Sequence, residues 1–180
     1  MYQTAAKIAR KFIKEATLFK LGFNLSPMYR RSTARITHVS EDLKTIHIKI
    51  PLSYKNRNYV GSIFGGSLFA AVDPIPMIQL MSIFKEEYIV WDKAAHIRFK
   101  RPARENMYAT FEFSEEEINE ILQKVKQDKE VEHHKTTYIT NKSGDVVFCE
   151  VTKTIYIADK DYYKEKRKNK SSDKTLKTQE

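Results

Sequence analysis

Residues Asn58–Phe84 read NYVGSIFGGSLFAAVDPIPMIQLMSIF, and their reading decides how the rest of the chain folds. The stretch holds three of the five glycines in the sequence, at positions 61, 65 and 66. It then runs apolar with one acidic side chain, Asp73, followed by Pro74 and Pro76. Such a run is about long enough to cross a bilayer. A carboxylate near the bilayer centre would cost at least about 2.5 kcal/mol, and two prolines disturb the same turn. No membrane span is therefore expected. Residues 62–84 are apolar all round, so they should form one long central helix surrounded by protein, kinked just after Asp73.

Alternating runs on either side supply the surroundings. ARITHVS carries Ile36, and LKTIHIKI puts Ile46, Ile48 and Ile50 on one face; a Ser-Glu-Asp turn between them makes a hairpin. His38 and His47 fall among its polar positions. IVWDKAAHIRFKRP should point Ala95, Ile97 and Phe99 inward and His96, Arg98 and Lys100 outward, and MYATFEF alternates through Met107, Ala109, Phe111 and Phe113. Ser114 to Glu117 is a capping box opening a helix on Ile118, Ile121, Leu122 and Val125. HKTTYIT and DVVFCEVTKTIYI follow, joined at Asn141–Asp145 by hairpin turn chemistry. The order α-ββ-α-ββ-α-ββ implies an α+β fold, an antiparallel sheet of about six strands wrapped around the central helix.

At 180 residues the chain is most simply one domain over 1–158. An amphipathic helix on Ala5, Ile8, Ala9, Phe12, Ile13, Ala16 and Phe19 is expected within residues 1–22, ended by Gly22. The Lys-rich stretch 159–180 has little apolar content and is expected to be disordered.

The net charge of +9 is unevenly placed. Residues 1–35 hold eight Lys/Arg against one Glu, and 159–180 hold eight Lys/Arg against five acids. The body between them has sixteen Lys/Arg against seventeen acids, so it has no basic surplus for a phosphate backbone and no nucleic-acid partner is expected. The single cysteine, Cys149, sits in an apolar alternating run and reads as a buried, inert thiol. Scarce cysteine and the lack of a secretory signal point to the cytoplasm. His133 and His134 are neighbours on a strand and face opposite ways, so they do not share a metal ion.

Gly61, Gly65 and Gly66 fall where a loop becomes the helix. Glycine there lets a ligand or another backbone approach closely, and the first helical N–H groups are free to stabilise an oxyanion. The same glycines would equally serve a helix entering a crowded sheet. Asp73 lies two turns on, where a carboxylate is costly unless it is paired or faces a wet cavity. It is either a structural acceptor or a base in a cleft.

The string Asn58-x-x-Gly61-x-x-Phe64-Gly65-Gly66, with Asp73 seven residues on, resembles the signature of hotdog-fold acyl-CoA thioesterases of the phenylacetate-pathway type, Asn-x-x-Gly-x-x-His-Gly-Gly. AAHIRFKRPA resembles their strand after the central helix, and the strand order matches over roughly residues 25–158. Phe-Gly-Gly and Val-Asp-Pro bring it nearer to an uncharacterised bacterial branch of that superfamily. The resemblance implies a hotdog fold, a homodimer or dimer of dimers with shared sites, and hydrolysis of an acyl-CoA thioester with no cofactor beyond the CoA of the substrate. It assigns Gly66 N–H to the thioester carbonyl, Asp73 as base or nucleophile, and Asn58 to orient water or substrate. Gly61, Phe64 and Gly65 would line the substrate, with Lys100, Arg101 and Arg104 as a clamp for the CoA phosphates. Phe64 replaces the family's histidine, which removes a side-chain hydrogen bond and keeps the backbone donors. That exchange supports an alternative, a non-catalytic acyl-CoA or lipid-binding protein on the same fold. A hydratase would want an Asp/Glu–His pair, and no histidine lies between Asn58 and Phe84.

Overall fold

The computed structural model describes residues 13–176, with side chains through residue 169. In chain order the elements are α1 (Glu15–Leu25), α2 (Pro27–Arg30), β1 (Arg35–Val39), β2 (Thr45–Ile50), α3 (Gly65–Val72), α4 (Ile75–Ile83), β3 (Ile89–Phe99), β4 (Met107–Glu112), α5 (Glu115–Asp128), β5 (Glu130–Thr140), β6 (Val147–Ala158) and α6 (Lys160–Leu176). The six strands form one antiparallel sheet in the order β1-β2-β4-β5-β6-β3.

The alternation read from sequence places the core. Ile36, Ile46, Ile48, Ile50, Met107, Ala109, Phe111, Phe113, Cys149, Val151, Ile155 and Ile157 are buried on the inner face of the sheet. Leu68, Ala71, Val72, Ile75 and Leu80 of α3 and α4 are buried as well. Gln79, fully buried, donates to the carbonyls of Leu43 and Lys44 and so ties α4 to the β1–β2 turn. Tyr29 ties α2 to α3 with a hydroxyl donated to Ala71 O at 3.0 Å, and burial pushes its phenol far above the ordinary range.

The central helix is interrupted where the kink was expected, and it departs from expectation in two other ways, at its start and in its burial. It is two helices, because Pro74 and Pro76 have no N–H for the carbonyls of Ala70 and Val72. Residues 62–64 are a loop, and the break falls at Asp73–Pro74. Nor is it surrounded: Phe64, Gly66 and Ala70 are exposed, and Met77, Ile78, Met81, Ser82 and Ile83 are only half-buried. Gly65–Ile83 is long and apolar enough to cross a membrane by composition, yet its buried side packs on the sheet.

Both ends also differ from the reading. Gly22 lies inside α1, which continues to Leu25 and stops where Pro27 opens α2. The expected positions Ala5, Ile8, Ala9 and Phe12 lie outside the described residues. The stretch expected to be disordered is helical from Lys160. Asp159 Oδ1 accepts from the N–H groups of Asp161 and Tyr162, an N-terminal cap. Glu130 receives hydrogen bonds from Tyr156, Tyr162 and Lys166, which docks the first two turns on β5 and β6.

Half of the capping box forms. Ser114 Oγ accepts from Glu117 N at 3.1 Å, while the Glu117 carboxylate turns to Lys135 Nζ at 2.6 Å and His133 Nε2 at 2.8 Å. His134 faces the other way, 3.2 Å from Thr154 Oγ1.

Candidate functional site

The loop before α3 is built by Asn58. Its Oδ1 accepts from the N–H groups of Val60 and Ser62, and its Nδ2 donates to Ser62 Oγ at 3.0 Å. Gly61 N donates to Asn58 O, and Gly61 has φ +80°, which explains glycine there. Asn58 therefore shapes the loop with both polar atoms of its amide. Ile63 N bonds Ala103 O at 2.8 Å and Phe64 N bonds Asn56 O at 2.7 Å, which seat the loop between two neighbouring segments.

Phe64 caps α3. Its carbonyl accepts from Ser67 and Leu68, whereas the N–H groups of Gly65 and Gly66 have no acceptor among the described residues. Both glycines are approached by rings. A β-carbon at Gly65 would lie 2.8 Å from the Phe99 ring, and one at Gly66 would overlap the ring of Phe64 itself. Phe64 is 58% exposed and Phe99 54%, so both rings border open space.

A cleft of about 520 Å³ runs between this loop and the segment Phe99–Ala103, lined by Asn58, Ser62, Gly65, Lys100 and Arg101 among others. Asp73 does not line it. Seven residues of helix separate Asp73 from Gly66, about 10 Å along the axis. One chain cannot put its Asp73 carboxylate onto a carbonyl held at its own Gly66.

Sequence reasoning missed what Asp73 does touch. Lys153 of β6, with only 3% of its side chain exposed, forms ion pairs with both Asp73 and Asp92. The Asp92 contact is 3.0 Å, and Lys153 Nζ also lies 5.8 Å from the centre of the Phe69 ring. Asp92 is half-buried, and its Oδ1 is buried without a hydrogen-bond partner. Burial raises the Asp92 carboxyl above its ordinary range; Lys153 opposes that shift and the Asp73 charge adds to it. Asp73, by contrast, is 40% exposed. A buried lysine thus anchors a carboxylate that still meets solvent. The signal was legible: in DVVFCEVTKTIYI the inward phase runs Cys149, Val151, Lys153, Ile155, Ile157, and a lysine in an apolar phase needs a partner.

One member of the expected phosphate clamp is already paired. Lys100 pairs with Glu150 at 2.7 Å, and the Arg101 guanidinium sits 5.9 Å from the Phe148 ring centre. Arg104 is exposed. Cys149 is buried, its thiol pushed up to about 11 by that burial. No group of three or more metal-ligating side chains occurs among the described residues.

A family described as "Domain of unknown function (DUF4442)" matches residues 15–157. The chain belongs to it. No curated protein matches this DUF4442 member. Among solved structures it is similar to PA5026 of Pseudomonas aeruginosa, "a Protein of Unknown Function" also described as a "Probable Thioesterase", at 19% identity over 77% of this chain and 91% of that one, TM-score 0.67. It is similar to OLEI01261 of Chlorobaculum tepidum at 14% identity, 80% and 96% coverage and TM-score 0.65. Thioesterase HI1161 of Haemophilus influenzae gives 13% identity, 83% and 94% coverage and TM-score 0.57. Sheet order, central helix and these neighbours establish the hotdog fold for the DUF4442 chain.

Proposed function

We propose that this DUF4442 protein is an acyl-CoA thioesterase with Asp73 as its base or nucleophile. One observation carries the reading: the only carboxylate of the apolar central segment is held by a buried lysine and still meets solvent.

In the proposed reaction the thioester carbonyl rests on the free N–H of Gly66 at the start of α3, where the helix dipole favours developing negative charge. The carboxylate of the partner's Asp73 takes a proton from water, and the hydroxide attacks the carbonyl carbon. The tetrahedral oxyanion collapses, the C–S bond breaks, and the CoA sulfur leaves with the proton from Asp73. Lys153 keeps the carboxylate fixed through these steps. Asn58 contributes by holding the loop that presents Gly65 and Gly66. The active unit is a homodimer.

The test is a panel of acyl-CoAs with thiol release monitored, on wild type and Asp73→Asn. The wild type should hydrolyse at least one member, and Asp73→Asn should lose about 10²–10⁴-fold in kcat while still binding. Unchanged hydrolysis by Asp73→Asn would falsify the assignment. Phe64 favours a second reading, a binding protein, because an exposed ring stands where the thioesterase signature that this stretch resembles has histidine. Tight acyl-CoA binding by a wild type that turns over no member would establish that instead.

A further inference from the structure

A second cleft, of about 580 Å³, lies between α2, the start of β1 and the loop Pro51–Lys55. Arg30, Arg31, Arg35 and Lys55 line it, and no carboxylate does. None of the four is in an ion pair among the described residues, whereas Lys44, Lys93, Lys100, Lys135 and Lys153 all hold acidic partners. The basic surplus of residues 1–35 is therefore not simply spread over an amphipathic helix. Three of its cations meet Lys55 across one cleft. Beside them stands Tyr54, 85% exposed, with Lys55 Nζ 5.7 Å from its ring centre.

The walls are fixed and they connect to the α3 start. Asn56 is buried, donates to Thr33 Oγ1 at 2.6 Å and Pro51 O at 2.8 Å, and accepts from Ser53 N at 2.9 Å. Its own carbonyl accepts from Phe64 N at 2.7 Å. One residue thus braces the basic cleft with its side chain and the cap of α3 with its backbone. The segment from Pro51 to Phe64 contributes to both clefts.

We propose that this cleft binds the phosphates of the CoA nucleotide, with Tyr54 available to stack on the adenine. This rests on the acyl-CoA reading above and moves the phosphate subsite away from Lys100, whose ammonium is paired with Glu150. Planar guanidinium groups match phosphate oxygens in pairs, and three of them without acidic neighbours make a site for a multiply charged anion rather than for a lone carboxylate. A cleft of this size fits one nucleotide, and the body of the protein lacks the basic surface that a longer nucleic acid would follow.

The test compares two thioesters of one acyl group, carried on CoA and on N-acetylcysteamine, which lacks the nucleotide. Arg31→Gln combined with Arg35→Gln should raise KM for the acyl-CoA by about tenfold or more and leave kcat, and all constants for the short thioester, near wild type. An unchanged KM for the acyl-CoA overturns the subsite. Should the wild type hydrolyse neither thioester, titration with 3′,5′-ADP decides the cleft independently of the hydrolase reading. Binding to wild type that is lost in the double variant supports it, and no binding of 3′,5′-ADP or CoA to wild type overturns it. Inorganic phosphate competing as strongly as the nucleotide would mark a general anion cleft and overturn the assignment to CoA.

Discussion

Lys153 stands between two carboxylates of different kinds, and the difference can be read by substitution. Asp92 is half-buried with an oxygen that finds no donor, and its carboxyl is raised chiefly by burial. A carboxyl raised in the folded state contributes stability below its unfolded value, near 3.9, and loses it as pH rises through the folded value. At neutral pH its ionised form therefore weighs against folding. Asp92→Asn should leave melting at pH 4 near wild type and raise the melting temperature at pH 7 by a few degrees, measured by calorimetry. Lys153→Met removes the cation instead and leaves Asp92 unpaired, with an expected loss of about 3 kcal/mol. Combining Lys153→Met with Asp92→Asn should recover much of that stability. If Lys153 positions Asp73, kcat stays low in the stable double variant, and Lys153→Arg restores part of it. Full recovery of kcat together with stability would make Lys153 a structural residue only.

Among the elements, α6 teaches most about what the sequence held. Composition favoured disorder after Asp159, yet the chain there contains an N-cap aspartate and two tyrosines that reach Glu130 and Tyr156. Truncation after Asp159 should lower the melting temperature by several degrees, whereas truncation after Lys168 should change it little; equal melting of the two would show that α6 does not hold β5 and β6. Periodicity made the strands, the two hairpins and α5 legible, because each buries one face and the pattern records it. It gave the facing of β3 but not its burial. Ala95, Ile97 and Phe99 do share the inner face with Lys153, Val151 and Cys149, but Ala95 and Phe99 are exposed and Ile97 only half-buried, since among the described residues little covers them beyond the core contact of Ile97 and the approach of the Phe99 ring to Gly65. Of the site, the glycines and Asp73 were legible as oddities of composition. Lys153 was legible only as a lysine in an apolar phase; its pairing with Asp73 and Asp92 was not, because that depends on register between β3 and β6 and on where α3 breaks.

At the scale of the whole molecule, the two edges of the sheet are treated differently. The β1 edge is sealed by α1: Asn24 Nδ2 donates to Ile36 O at 2.9 Å, Asn24 Oδ1 accepts from Ile36 N at 2.8 Å, and Lys20 donates to Thr37 O. The β3 edge has no such cover among the described residues, and it carries exposed Trp91 and Phe99. A long open edge with apolar side chains invites a second strand. Beside it, α3 and α4 leave an apolar side half-uncovered, and Asp73 lies too far from its own Gly66 for the proposed chemistry. A two-fold dimer through β3 would answer all three at once. The chain should sediment as a dimer at micromolar concentration, and a monomer there would remove the shared site. Complementation tests the sharing directly. Asp73→Asn and Gly66→Val should each be inactive as homodimers. Co-expressed, they form heterodimers in which one site combines the intact Asp73 of one chain with the intact Gly66 of the other, so thioester hydrolysis should return. If each chain instead used its own Asp73 with its own Gly66, no heterodimer would contain an intact site, and purified heterodimers would stay inactive.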